Sequence, residues 1–325
     1  MATSAFTLPE RPAALASRDV ERQARMVELM QQLTPKEGFT YPLDGVKLMR
    51  ANRPLPRSPV LYEPCIVIVF QGRKIGYLGE ASFIYDAQQF LVLAVPLPLE
   101  SETQASAEEP LLAMSIRLNL SVIAELLLAL DEVGSFAESN PKGICATPMD
   151  PQLSDAVLRL LQALSSPIEA QVLGPAILRE IYFRVLAGAQ GGAIRAALAQ
   201  QSQFSKIAKA LRRIHADYHD DLDVTRLADE AGMSVPAFHA NFKAVTATSP
   251  IQYVKTTRLH KARLLMVQDG VSAAVAASKV GYESASQFSR EFKRFFGRTP
   301  VEETRQMKHL LDTGPEANTR YVTVQ

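Results

Sequence analysis

A fifty-residue unit occurs twice between Asp223 and Pro300. Phe238, Phe242, Lys243 and Pro250 recur as Phe288, Phe292, Lys293 and Pro300. In each copy a short helical stretch runs into a glycine, LADEAGMS over 227–234 and ASKVGYES over 277–284. Glycine takes the left-handed backbone that closes a helix without steric penalty. Ser234 and Ser284 then stand where a second helix needs its N-cap. Short helix, glycine turn and capped second helix form the helix-turn-helix pattern. One copy alone could be the surface of an ordinary helical hairpin. Two copies at constant spacing argue against that.

The second helix of each unit divides into faces. Phe288, Phe292 and Phe295 fall at i, i+4 and i+7, an apolar stripe. Ser286, Gln287, Ser289, Arg290 and Lys293 lie off it and offer the donors that a major groove accepts. In the first unit Phe238 and Phe242 form the inner face, while Pro236, His239, Ala240 and Lys243 point outward. The base-reading candidates are Pro236, His239, Ala240, Ser286, Gln287 and Arg290. The phosphate candidates are Ser234, Lys243, Ser284, Lys293 and Arg294. The second face is richer in donors, so we expect it to be the stronger reader.

The segments LADEAGMS, FHANFK, YVKTTRLHKARLLM and VGYESASQFSREFKRFFGRTP together resemble the DNA-binding domain of the AraC family of bacterial transcription regulators, over Asp223–Arg305. The resemblance implies that the connector is a rigid helix. Its 18 residues, Ile251–Gln268, would span about 27 Å. That length suits two recognition helices placed in successive major-groove turns ~34 Å apart. This chain departs from the family by carrying Pro236 and Ala240 where many members have larger readers. Ala247 stands where the second copy has Gly297, and a side chain in a left-handed turn costs on the order of 1 kcal/mol.

Charge follows the same division. Residues 205–309 hold 17 Lys+Arg against 11 Asp+Glu, net +6, whereas residues 1–204 hold 17 against 21, net −4. The basic excess sits with the repeated units. The two cysteines, Cys65 and Cys145, cannot build a disulfide framework or a four-cysteine zinc site within one chain. No secretory signal opens the sequence, and the apolar stretch at Phe90–Leu99 is too short and proline-broken to span a bilayer. We expect a cytoplasmic protein without a membrane partner.

The amino-terminal half changes period along its length. Arg18–Leu33 reads as an amphipathic helix after a loose tail. Tyr62–Gly72 is apolar on both alternations, a strand covered on both faces. Gly72–Gly79 reads as a hairpin, with further strands at Ser82–Tyr85, Gln89–Val95 and Leu111–Leu118. Pro54, Pro56, Pro59, Pro96 and Pro98 mark bends, and the set suggests a small barrel or sandwich. Helices follow at Ser121–Val133, with Ser121 as cap, then at Pro151–Leu164, Leu173–Leu186 and Phe204–Tyr218. Weak periodicity and small residues over 188–203 place a domain boundary there.

The run IVIVFQGRK with GYLG, FLVLAVPLP and EEPLLAM resembles the AraC-type N-terminal domain, a cupin-like barrel followed by helices. The expected fold is therefore α+β. The resemblance implies that residues 1–200 form a sensing and oligomerising domain and that residues 203–310 form an all-α DNA-binding domain with units at 223–244 and 271–294. A tail covers 311–325. The expected partners are double-stranded promoter DNA, RNA polymerase, a small-molecule effector and a second copy of the chain. The consecutive leucines of Ala124–Leu130 are the dimerising candidate.

A barrel of this kind could instead be a metal enzyme with an incidental helical appendage. That needs histidine ligands on the strands, and all five histidines lie at 215 or beyond. His215 and His219 have a metal-compatible i, i+4 spacing, yet read more simply as a solvated helix end. Neither catalytic residues nor a cofactor are expected. Cys65, in an apolar strand, reads as a small hydrophobe. Cys145, in a loop-like stretch near Lys142, is a candidate thiol sensor alongside it.

Overall fold

The computed structural model describes residues 13–87, 89–133, 144–188, 191–198 and 203–312. The first helix, α1 (Ala13–Leu33), starts five residues earlier than its periodicity suggests and buries Met26, Leu29 and Met30. Nine strands follow: β1 (Gly38–Leu43), β2 (Val46–Ala51), β3 (Leu55–Tyr62), β4 (Cys65–Gln71), β5 (Arg73–Leu78), β6 (Ala81–Asp86), β7 (Gln89–Leu93), β8 (Leu97–Gln104) and β9 (Leu111–Arg117). Next come α2 (Leu120–Val133), β10 (Ile144–Pro148), α3 (Pro151–Leu164), α4 (Pro167–Ala187) and α5 (Gly191–Leu198). The carboxy-terminal half is helical: α6 (Gln203–Ala216), α7 (Val224–Glu230), α8 (Val235–Thr246), α9 (Pro250–Gln268), α10 (Ala273–Lys279), α11 (Ala285–Phe296) and α12 (Pro300–Asp312).

The strands form two antiparallel sheets, ordered β1-β2-β9-β4-β7-β10 and β3-β8-β5-β6. Central β4 buries both alternations from Cys65 to Phe70, because helices cover one face of its sheet and the second sheet covers the other. Pro56 and Pro59 lie within β3 and do not interrupt it. As an edge strand it spares a donor on its free side. Pro98 sits in β8 beyond the residues that β5 pairs.

Several expectations are corrected. In place of the hairpin expected over Gly72–Gly79 there is one strand, Arg73–Leu78, and the turn comes at Gly79–Glu80. Gly76 misleads because it reads as a turn residue. The Phe83 ring lies across it so closely that a Cβ there would stand 2.1 Å from Phe83 Cε2. Helix α2 is capped by Asn119, whose Oδ1 accepts from the amides of Ser121 and Val122 at 3.1 and 3.2 Å, and not by Ser121. Cys145 is in a strand, opposite Val92 of β7, and its side chain lies outside the described residues, as does the tail beyond 312.

The apolar core is unevenly shared. One cluster runs from Met26 through both sheets and α3, α4 and α6 into α7 and α8, where it takes in Phe238 and Phe242, and reaches Tyr253 and Val254 at the start of α9. A second, built on Leu259, Met266, Val280, Phe288 and Phe292, joins the second unit to the later part of α9. Helix α5, at the expected boundary, packs on both α4 and α6.

Candidate nucleic-acid interface

Both units have the expected local build. In the first, Asp223 Oδ2 accepts from the Arg226 amide at 3.3 Å and starts α7. Gly232, at φ +61°, ends it. In the second, Ser272 and Ser284 cap α10 and α11 by accepting from the amides of Val275 and Gln287, each at 3.3 Å. Ser234 occupies the cap position of α8 but makes no side-chain cap bond there, which corrects the symmetric expectation. Gly281 has φ +81°, and a Cβ on it would lie 2.4 Å from the His219 carbonyl oxygen. Only glycine fits that turn.

The stripe on α11 is also adjusted. Phe288, Phe292 and Phe296 are buried, while Phe295 is only partly so and meets the His260 ring edge-on at 5.3 Å. The packed row is the i+4n ridge, the surface a helix presents to a neighbour's grooves. In α8 the same three places hold Phe238, Phe242 and Thr246. Thr246 satisfies its hydroxyl on the Phe242 carbonyl at 2.8 Å. Ala247 then takes φ 57°, the single non-glycine residue with positive φ among those described.

Opposite the buried rows lie the residues singled out in the sequence. Ser234, Pro236, Ala240 and Lys243 are exposed around α8, and His239 is half-buried. Ser284, Ser286, Gln287, Arg290, Lys293 and Arg294 are exposed around α11. The Gln287 amide donates to Glu291 Oε1 at 3.2 Å, and Tyr282 Oη donates to Oε2 at 2.8 Å. Burial alone would raise the Glu291 pKa. The bonds from Gln287 and Tyr282, with Lys255 and Arg294 nearby, outweigh it and hold the carboxyl below its usual range. Gln287 is therefore partly occupied within the helix, whereas Arg290 meets no carboxylate among the described residues.

The connector between the units is α9, 19 residues long, so about 29 Å. Arg258 staples it. Its guanidinium donates to the carbonyls of Tyr218, Asp220 and Gly281 at 2.7, 2.8 and 3.1 Å, which fixes the loop before the first unit to the turn of the second. No motif flagged Arg258, although it lies within the matched connector. The other side of α9 rests on β3 and β8. Tyr253 Oη donates to the Pro96 carbonyl and Arg263 Nη2 donates to the Pro59 carbonyl, at 2.8 and 3.2 Å. Arg263 is itself paired in the interior with Glu303 at 3.4 Å.

His215 and His219 do not form one feature. His215 is largely enclosed, its side chain 10% exposed, with Nε2 2.8 Å from Tyr253 Oη, and desolvation followed by the Lys261 charge lowers its pKa to about 3. His219 lies beyond the end of α6, exposed, 3.4 Å from Asp220. The solvated-end reading therefore holds for His219 alone. Among the described residues no three His, Cys, Asp or Glu side chains gather as a metal site. Cys65 is buried, and burial raises its thiol pKa to about 11, which does not suit a thiolate sensor.

Two helix-turn-helix units on one rigid connector pack against a two-sheet domain. The chain belongs to the AraC family of transcriptional regulators. Residues 42–193 match the AraC-type transcriptional regulator N-terminus, and residues 227–306 match a helix-turn-helix domain. The regulator AlkR of Acinetobacter baylyi is 34% identical over 95 residues, 29% of this chain and 31% of that protein. ArgR of Pseudomonas aeruginosa is 28% identical over 154 residues, 47% of each. The chain thus matches about a third to a half of the length of these curated relatives. In fold it is similar to ToxT of Vibrio cholerae, crystallised with an unsaturated fatty acid bound. The TM-score is 0.55 at 14% identity, over 80% of this chain and 94% of that one. Among the described residues no helix is long and apolar enough to cross a membrane.

Proposed function

We propose that this chain is a sequence-specific DNA-binding activator of transcription whose reading half is gated by a small molecule held in the two-sheet domain. The observation that carries this is α9, which holds a recognition helix at each end and lies with its side on β3 and β8. An effector that alters the barrel wall therefore acts directly on the spacer of the two readers. Promoter DNA and RNA polymerase are the macromolecular partners, in the cytoplasm. A homodimer forms through the amino-terminal half, where Ile168 and Val172 of α4 expose an apolar face at 76% and 69%. A monomer mass by light scattering at micromolar concentration would remove the dimer.

Within the interface, Arg290 reads bases and Lys293, Arg294 and Lys243 grip phosphate. Ser286 and Gln287 assist Arg290, and Ser234 and Ser284 lie at the backbone. The first helix, with Pro236, His239 and Ala240, contributes less discrimination. The test is affinity across single-base operator variants at two salt concentrations. Arg290→Ala should cost ~1–3 kcal/mol of discrimination at one or two base pairs. Lys293→Ala should weaken all sequences alike and reduce the salt slope by ~1. A larger loss of discrimination from His239→Ala would make the first helix the principal reader.

A further inference from the structure

Helix α11 carries a carboxylate beside its outward face, where a surface that meets phosphates would do better without one. Glu291 sits on the same helix as Ser286, Gln287, Arg290, Lys293 and Arg294. An acidic group there repels the DNA backbone, so its presence needs a reason other than affinity. Helix stability is a weak one, because an i, i+4 polar pair contributes little.

The carboxylate is held from α9 and from the turn before α11 as well as from its own helix. Gln287 Nε2 donates to Oε1 at 3.2 Å. Tyr282 Oη donates to Oε2 at 2.8 Å, and its ring stands edge-on to Phe288 with centroids 5.3 Å apart. Lys255 Nζ, on α9, lies 3.8 Å from Oε1. Burial would raise the Glu291 pKa, yet these neighbours and Arg294 hold it below the usual range. Burial and the bond to Glu291 push the Tyr282 phenol up, so it keeps the proton that it donates. The carboxylate therefore accepts from every neighbour and donates to none.

An acceptor-only neighbour decides which way the Gln287 amide points. Its nitrogen faces Glu291, since the reverse would set the amide oxygen against Oε1. One N–H is spent on that bond. The carbonyl oxygen and the other N–H remain, one acceptor and one donor. In the major groove this pair matches adenine, which offers its N6 amino group and N7, whereas guanine offers the two acceptors O6 and N7. Arg290 is exposed and has donors only, so it matches guanine.

The first unit supplies the comparison within the chain. The fifty-residue repeat puts Ala237 and Asn241 at the places of Gln287 and Glu291. Asn241 Nδ2 donates to the Ala237 carbonyl at 2.8 Å, turned back on its own helix. Where the amide is missing, the carboxylate is missing too.

We propose that Glu291 is a positioning residue that locks the Gln287 amide as an adenine reader in the second recognition helix, beside a guanine read by Arg290. This rests on the DNA-reading assignment above and names the bases that this face selects. At i and i+3 the two readers stand about 5–6 Å apart at Cβ. The two bases are therefore one or two steps of about 3.4 Å apart.

The test is selection by the full chain from duplexes with a randomised centre, then affinities for the selected duplex with each base in turn at every position. The parent should favour adenine over guanine about ten-fold, ~1.4 kcal/mol, at one base pair beside the guanine that Arg290→Ala releases. Gln287→Ala should flatten that preference and no other. Glu291→Gln keeps the size of the side chain but lets either end of its amide face Gln287. The adenine-over-guanine ratio should then fall several-fold at that base pair alone. Affinity for the duplexes as a set should hold or rise, because a negative charge leaves the surface. Tyr282→Phe, which frees Oε2, should move the ratio the same way by less. An unchanged ratio in Glu291→Gln, or an equal loss on all duplexes as a merely structural role would give, would overturn the proposal. So would a parent preference for another base at the position that depends on Gln287, or the lack of any such position. Absence of sequence-specific binding by the parent would sink the DNA-reading assignment as well.

Discussion

The Tyr253 hydroxyl donates to the Pro96 carbonyl at 2.8 Å, across 157 residues of sequence. The same oxygen lies 2.8 Å from His215 Nε2. Having one proton to give, it accepts from His215, which fixes the neutral tautomer of that imidazole with its proton on Nε2. Connector, barrel and α6 therefore meet at one phenol. Removing the oxygen leaves a buried carbonyl and a buried ring N–H unsatisfied. Tyr253→Phe should lower unfolding free energy by about 1–3 kcal/mol, read by urea titration. It should also loosen α9 from the barrel, visible as faster amide exchange in β3 and β8.

Acid should act on the same place. The folded-state pKa of His215 is lowered to about 3 from 6.5. Between those values the unfolded chain binds the proton and the folded one does not, so stability falls as pH drops below 6.5. The slope is at most ~1.4 kcal/mol per pH unit for this group. His260, lowered by burial and then by Arg263, adds in the same direction. Glu63, raised by burial, takes up its proton earlier when folded and offsets part of the loss. Unfolding measured at pH 7.5 and 5 should show the drop, and His215→Gln should flatten it. A parent protein equally stable at both values would contradict the assignment.

Ala247→Gly relieves the left-handed strain at φ 57°. It should raise stability by ~0.5–1 kcal/mol, since the cost of a Cβ there exceeds the added freedom of the unfolded chain. Thermal unfolding would register this, and a lower Tm would mean that contact with the Gly79 turn matters more. A Cβ built on Gly79 would lie 3.1 Å from that of Ala247.

Arg263 and Glu303 are an interior pair, each side chain 7% exposed, and Arg298 supports Glu303 at 3.4 Å. Truncating one partner strands the other charge. Glu303→Ala should therefore destabilise by about 3–5 kcal/mol, more than the double replacement by apolar residues, as a double-mutant cycle would show.

Where the sequence was legible, it was through repetition. Phe238 and Phe288 predict each other's burial, and the glycine at 281 predicts its own dihedral. Ten strands were harder. The segments of β1, β2, β3 and β8 carry Pro42, Pro56, Pro59 and Pro98 or short mixed patterns that local reading takes for bends. Their pairing is long-range, as in Val46 with Ile116. Phe296 displaced Phe295 because the neighbouring helices, which periodicity does not contain, choose the ridge. The candidate DNA face was legible as chemistry. Arg258 and the Tyr253 contact were not, since their partners are backbone carbonyls, and those carry no residue identity.

The division of the apolar core sets how a disturbance travels. The first helix-turn-helix unit is welded to the two-sheet domain, because Phe238 and Phe242 share their cluster with the sheets. The second hangs from α9 as from a boom, in a separate cluster that it forms with Leu259, Ala262 and Met266 of that helix. Under the gating proposed above, a shift in the barrel would move one unit bodily and the other through a lever. The angle between them would then change, and the molecule would work as a pair of calipers whose opening selects the spacing of two half-sites.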